Sequence, residues 1–247
     1  MSRDDLGVEV TGSPTRVVSL VPSLTEAVAV SAPGLLVGAT DYCTHPADLE
    51  VIRVGGSKYP LIQAVLALRP DLVLANAEEN RPEDVAEIRA AGVEVWVTFP
   101  RTVDEAFGSL ARMLEALGVA RPAWLDEARR VWAAPPVFDA SVVVPVWRRP
   151  WIVLGGDTFA SDVLARLGLR NIYGSSSERY PRPTLADIPP CDIVVLPDEP
   201  YAFSPDDGPE AFPDARCAFV SGRHLTWYGP SLAEAREVLT GQLRFSA

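Results

Sequence analysis

The chain has 247 residues, is 48% hydrophobic and 22% charged, and carries a formal net charge of −11 at pH 7. That length and hydrophobic content suit a folded protein of one large or two small domains and exclude a disordered chain. The acidity disfavours a nucleic-acid backbone or an anionic membrane surface as partner, and no run reaches the ~20 apolar residues of a membrane span.

The N-terminal stretch Met1 to Val10 has no apolar h-region and no cleavage site, so a cytoplasmic location is expected. Arg16-Val-Val-Ser-Leu-Val21 is a short apolar run of strand type, and Ser23 with Glu26 has the spacing of a capping box opening a helix. Leu35 to Thr40 reads as a second strand running into the polar loop Asp41-Tyr-Cys-Thr-His-Pro46. Tyr59 to Leu68 is expected to be a short helix. Asp71-Leu-Val-Leu-Ala75 is a buried strand, followed by the loop Asn76-Ala-Glu-Glu-Asn80. Pro82 to Ala91 is helical and closes at Gly92, and Val93 to Phe99 is another strand.

From Thr102 to Trp132 the pattern is helical. Val103, Ala106, Phe107, Leu110, Met113, Leu114 and Leu117 keep the i, i+3, i+4 rule behind a Thr102 N-cap, and Gly118 and Pro122 break the run before a second helical segment. Strand–helix alternation lies on both sides. The expected organisation is therefore two Rossmann-like α/β lobes, 1–101 and 135–247, joined by a linking helical segment at 102–134, with a ligand cleft between the lobes.

In the second half, Ser141 to Trp147 and Trp151 to Leu154 are strands around the turn Arg148-Arg-Pro150. Gly155-Gly-Asp-Thr158 opens a helix over 159–167, with Asp157 or Thr158 as its cap; backbone N–H groups there could also face an anion. Asp192 to Leu196 is a buried strand leading to Pro197-Asp-Glu-Pro-Tyr-Ala-Phe203, and Cys217 to Val220 is the last strand, with a loop at 221–229. Ser231 and Glu234 suggest a second capping box. The three cysteines lack CxxC spacing and fit reduced thiols, with Cys191 and Cys217 as core fillers. An internal echo links Arg69-Pro-Asp71, an apolar run and Glu78-Glu79 to Pro190-Cys-Asp192, an apolar run and Asp198-Glu199.

In parallel sheets, ligands bind outside the strands' carboxyl ends. The loops expected there hold Tyr42, Tyr59, Trp147, Trp151, Tyr180, Tyr201, Phe203, Trp227 and Tyr228, with His45, Lys58, Glu78, Glu79, Asn80, Arg148, Arg149, Asp198, Glu199, Arg223 and His224 as polar groups. Aromatic walls with a few polar groups suit a flat or bulky organic ligand. A metal held by His45 and His224 with Cys43, Glu78 or Glu199 is conceivable, but no tight ligand spacing exists, and one His contacting the metal of a bound cofactor is a separate option. Dinucleotide, phosphate-loop and nucleophile-elbow motifs are all absent.

Arg16-Val-Val-Ser-Leu-Val-Pro-Ser-Leu-Thr-Glu26, Val37-Gly-Ala-Thr-Asp-Tyr-Cys-Thr-His-Pro46 and Leu66-Ala-Leu-Arg-Pro-Asp-Leu-Val73 resemble the helical-backbone metal receptors. These are the cobalamin- and ferric-siderophore-binding proteins of ABC importers. The resemblance is strongest over 16–118. Asp157 to Asp162 and Leu225-Thr-Trp-Tyr-Gly229 resemble second-lobe segments of the same family. It implies two lobes joined by a rigid helix and a corrinoid, haem or other metal chelate as ligand. On that pattern Tyr59, Tyr180, Trp227 and Tyr228 stack on the ligand, His45 and His224 give hydrogen bonds or an axial contact, and Arg148 and Glu199 fix polar edges. Tyr42, Lys58, Glu78, Trp147 and Tyr201 complete the expected contact set. Ser57 and Tyr180 stand where the cobalamin receptors place tryptophans. Gln63 and Ala186, beside Asp187, stand where those receptors dock on a permease through Glu, so docking is not expected. The expectation is a non-enzymatic binding protein; alternatives are an enzyme using His224 with Glu199 or Glu78 as acid and base, and an exported receptor without its leader.

Overall fold

The computed structural model describes residues 2–244. The chain forms two compact units. The first comprises 1–100, 104–126 and 228–230, and the second 101–103, 127–227 and 231–247. Both are α/β units built on a parallel sheet, as the alternating pattern predicts.

The first unit opens with a hairpin of β1 (Ser2–Arg3) and β2 (Glu9–Val10), which the sequence pattern does not announce. Asp4 and Asp5 anchor it. Asp4 accepts from the backbone N–H of Leu6, Val8 and Val97, and Asp5 from Phe99 N–H and the Ser109 hydroxyl. Then follow β3 (Val17–Ser19), α1 (Pro22–Ser31), β4 (Leu36–Ala39), β5 (Ile52–Arg53), α2 (Ile62–Ala67), β6 (Leu72–Asn76), α3 (Pro82–Ala90) and β7 (Glu94–Thr98). The sheet runs β5-β4-β3-β6-β7, all parallel. Its core is aliphatic, with Val18, Leu20, Val54, Val65, Val73, Ile88 and Val97 buried. Two local expectations fail here. The helix at 59–68 begins only at Ile62, because Gly55 and Pro60 bridge and hold 56–60 in a loop. The Ser23–Glu26 capping box does not form either: Pro22 occupies the first turn behind Val21, and no side chain caps the helix.

The segment after β7 is helical as predicted, in two pieces: α4 (Val103–Ala116) and α5 (Ala123–Trp132). All seven apolar residues of the predicted stripe on α4 are buried. Each of the large ones is worth ~1.5–3 kcal/mol on burial. The two ends of α5 are tied by indole hydrogen bonds, Trp124 Nε1 to Ser31 Oγ at 3.0 Å in the first unit and Trp132 Nε1 to the Leu232 carbonyl at 2.9 Å in the second.

The second unit contains β8 (Ala140–Val143), β9 (Pro145–Arg148), β10 (Trp151–Val153), α6 (Phe159–Leu167), β11 (Leu169–Asn171), β12 (Ile193–Pro197), β13 (Arg216–Val220), α7 (Gly222–Thr226) and α8 (Leu232–Arg244). Its parallel sheet runs β11-β8-β12-β13, and β9 and β10 form a separate antiparallel hairpin. Thr158 caps α6, accepting from Ser161 N–H, while Gly168 closes it in the left-handed conformation at φ +91°. The loop expected at 221–229 is largely the short helix α7, capped by Ser221. The second capping box is also absent: Glu234 turns instead to Arg223 and His224.

The internal echo in the sequence is a structural repeat. Asp71, one residue before β6, accepts hydrogen bonds from Thr15 N–H and hydroxyl and from Arg16 N–H, at 2.8–3.0 Å, and so clamps the start of β3. Asp192, one residue before β12, accepts from Ser141 N–H and hydroxyl, both at 2.6 Å, and clamps β8 in the same way. Burial opposes ionisation of Asp71, but these hydrogen bonds outweigh it and hold the carboxyl below its usual range. The Ser141 bonds do the same for Asp192.

Candidate functional site

Each sheet has one topological switch point. In the first unit the chain moves from β3 outward through β4 and β5, then returns to place β6 and β7 on the other side, so the switch lies between β3 and β6. In the second unit β11 lies on one side of β8 and β12 with β13 on the other, so the switch lies between β8 and β12. Ligands of open α/β sheets bind at the carboxyl ends of such strand pairs. The loops following β6 and β12 carry the acidic pairs Glu78-Glu79 and Asp198-Glu199.

In the first unit a net of amide hydrogen bonds sets these loops. Asn76, buried at the end of β6, accepts through Oδ1 from the backbone N–H of Glu78 at 2.7 Å and Glu79 at 3.1 Å. Asn80 Oδ1 accepts from Asn76 N–H at 2.8 Å, and its Nδ2 donates to the Ser57 carbonyl at 2.8 Å. Arg53 reaches from β5 to the carbonyls of Thr40 and Cys43 at 2.9 and 2.8 Å. Together these hold the 40–46, 55–60 and 77–80 segments to one another. On this frame Tyr42 and Tyr59 stand out, 65% and 67% exposed. The Arg81 guanidinium lies over the Tyr59 ring, 4.8 Å from its centroid. Lys58 is exposed, and His45 is half-buried with Nδ1 3.2 Å from the Thr44 hydroxyl. Cys43 is unsuited to a metal: it is fully buried, its sulfur bonded by Thr25 at 3.0 Å and beside Thr40 at 3.1 Å, and burial raises its thiol pKa.

In the second unit the 178–181 segment runs beside β10. Val153 N–H donates to the Pro181 carbonyl at 3.0 Å and Gly155 N–H to the Arg179 carbonyl at 2.8 Å, which leaves Tyr180 between them 43% exposed. A Cβ on Gly155 would overlap the Glu178 carbonyl oxygen, so the approach needs glycine. Trp147 is 43% exposed, set edge-on to Tyr201 at 5.6 Å between ring centroids. Tyr201 donates its hydroxyl to Asp207 at 2.6 Å and packs with Phe203, Trp151 and Phe212 in the core.

Four expected contacts take other roles. Arg148 is paired with Asp207 and Glu210 and lies over the Trp151 ring, so its charge is already answered inside the unit. Tyr228 is buried, and its hydroxyl is 2.6 Å from Asn76 Nδ2 and 2.8 Å from Thr98 Oγ1; it is a core post of the first unit and not a stacking face. Trp227 is buried as well. His224 has both ring nitrogens engaged, Nδ1 2.8 Å from Ser221 Oγ and Nε2 3.1 Å from Glu234 Oε1. The His224 contact, then burial acting the other way, then Arg223, leave the Glu234 carboxyl below its ordinary range. Glu199 is half-buried. Its pKa is raised, first by burial and then by Asp198, against a hydrogen bond from Trp227 and the charge of Arg223. Among the described residues no three His, Cys, Asp or Glu side chains are grouped to hold a metal ion. The sequence reading passed over Asn76, Arg53 and Gly155 as frame residues. An Asn ending a buried strand before two acidic residues is the signal of an Asx turn that could have marked the first.

No known protein-family profile matches the chain. It is 27% identical over 186 residues to the vitamin B12-binding protein of Vibrio cholerae, a match covering 70% of this chain and 66% of the relative, so the chain spans just under two thirds of that protein's length. It is 28% identical over 179 residues to the uncharacterised ABC transporter substrate-binding lipoprotein YvrC of Bacillus subtilis, covering 66% of this chain and 57% of that one. Among solved structures, the periplasmic haem-binding protein BhuT in complex with two haems superposes with a TM-score of 0.75 at 26% identity, covering 94% of this chain and 98% of that chain. These relatives overturn the expectation of a cytoplasmic protein, for they are periplasmic proteins or lipoproteins. They agree with the sequence reading of a binding protein for a metal chelate, and the chain has the α/β solute-binding-protein fold that they share.

Proposed function

We propose that this chain is an exported solute-binding protein whose ligand is a metal-chelating macrocycle of the corrinoid or haem type. The carrying observation is the placement of exposed aromatic side chains: Tyr42 and Tyr59 in loops after strands of the first sheet, and in the second unit Tyr180 in the segment after β11 and Trp147 on the hairpin strand β9. Aromatic rings grouped on the segments that follow the strands suit stacking on a flat or bulky ligand. In this reading each unit offers its own stacking faces to a macrocycle, Tyr59 with Tyr42 in the first and Tyr180 with Trp147 in the second. His45, Lys58, Glu78 and Glu199 supply the polar contacts. Any axial bond from His224 requires release of Ser221 or Glu234.

The vitamin B12- and haem-binding relatives support the ligand class, and the substrate-binding lipoprotein supports delivery to an ABC importer. Gln63 on α2 and Ala186 are both exposed, and we propose that any permease contact at these places is made without the charge of a glutamate.

The test is a native mass spectrum of the full chain with hydroxocobalamin and, separately, with haemin. A one-to-one adduct with either that survives dilution supports the reading. Absence of both adducts from protein shown to be folded overturns it.

A further inference from the structure

The inference concerns Glu199 and rests on the binding reading above. Glu199 stands in the loop after β12, at the switch point of the second sheet. Its Oε1 is shielded from water and accepts no hydrogen bond. Buried acceptors are nearly always satisfied, and each exception asks for an explanation. The side chain is held there deliberately. A Cβ on Gly222 would overlap Glu199 Cγ and lie 2.8 Å from its carbonyl oxygen, so only glycine admits it. Gly222 N–H is in turn fixed by Asp198 Oδ1 at 2.6 Å. Arg223 Nη1 and His224 Nε2 each lie 3.1 Å from Glu234, while Trp227 hydrogen-bonds the Glu199 carboxylate and the Arg223 charge acts on it without bonding Oε1. The residue as a whole is only half-buried, and a ligand donor meets the unmet oxygen only when the carboxyl turns outward.

We infer that Glu199 is a specificity-determining residue, accepting a hydrogen bond from an N–H donor on the ligand's rim, and that it selects a carboxamide-fringed chelate over a carboxylate-fringed one. A carboxamide offers the N–H that Oε1 lacks. A carboxylate rim offers only acceptors and meets like charge from Asp198 and Glu199. An unmet acceptor together with charge repulsion discriminates more sharply than either alone. The net charge of −11 acts in the same direction.

The test is fluorescence titration of the full chain with hydroxocobalamin, whose rim carries carboxamides, with haemin, whose rim carries propionates, and with cobyrinic acid, a corrinoid with carboxylates in place of the amides. Hydroxocobalamin is expected to bind at least about tenfold tighter than either acid. Glu199→Ala is expected to weaken hydroxocobalamin by about ten- to a hundredfold and haemin by much less, and Glu199→Gln, which keeps a carbonyl acceptor, to fall between. Haemin or cobyrinic acid binding as tightly as hydroxocobalamin to the unaltered chain overturns the inference, and that comparison needs no variant to fold. An unchanged affinity ratio in Glu199→Ala also overturns it. If none of the three ligands binds, the binding reading itself falls.

Discussion

The side-chain amide of Asn76 donates to the phenol oxygen of Tyr228 across 2.6 Å, joining residues 152 positions apart. The same Asn76 organises the Glu78-Glu79 turn through its other atom. An aromatic residue that sequence pattern assigns to a ligand is thus a buried post beneath the loop that carries polar candidates.

Tyr228→Phe is expected to lower stability by about 1–3 kcal/mol, because Asn76 Nδ2 loses its buried partner. Urea unfolding at neutral pH measures it. Burial raises the Tyr228 pKa, so its contribution is fully present below the unfolded tyrosine value, about 10, and is lost as pH rises beyond it. The wild-type protein should therefore lose stability above about pH 10 more steeply than the variant. Equal slopes would count against this account.

The aspartate clamps act in acid. Asp71 and Asp192 have lowered folded pKa values, so their contribution is present above the unfolded aspartate value, about 3.9, and fades as pH falls through the folded one. Asp71→Ala and Asp192→Ala should each lower the melting temperature at pH 7 and flatten its decline below about pH 4. A thermal series in pH for both variants checks this, and an unchanged acid limb would remove the clamps from the explanation.

Gly155→Ala is expected to displace the 178–181 segment, since the new methyl meets the carbonyl oxygens of Glu178 and Arg179. The predicted effect is a destabilisation of roughly 1–3 kcal/mol by overpacking, with weaker ligand binding through Tyr180. Finding both properties at wild-type level would show that the segment does not depend on this approach.

Tyr59→Ala and Tyr180→Ala separate binding from stability. Both rings are exposed, so removing them should leave the unfolding transition within about 0.5 kcal/mol of wild type. Loss of a stacking face should weaken a macrocyclic ligand by roughly three- to tenfold each. Titration with the ligand identified by mass spectrometry decides the matter; a large fall in stability with unaltered affinity would make these residues structural.

Much of the fold is legible because its signals are local. The β6 run is four apolar residues, Leu72 to Ala75, before Asn76, the β12 run is five, and the α4 stripe keeps a strict helical period, so burial on both faces or on one follows from composition and spacing alone. Even the repeat of the two sheets shows, since Asp71 and Asp192 precede the runs at the same offset. What sequence could not fix was which polar or aromatic side chains are already spent. Arg148 and Tyr228 stand in the same kinds of loop as Lys58 and Tyr59, and only folding brings Asp207, Glu210, Asn76 and Thr98 against the first two. The capping-box spacings at Ser23 and Ser231 misled for the same reason: Pro22 fills the first turn of one helix, and Glu234 of the other is drawn to Arg223 and His224. Hydrophobic period is a property of neighbouring residues, whereas satisfaction of a polar group depends on partners a hundred residues away. The first is written in the chain, and the second is decided by tertiary structure.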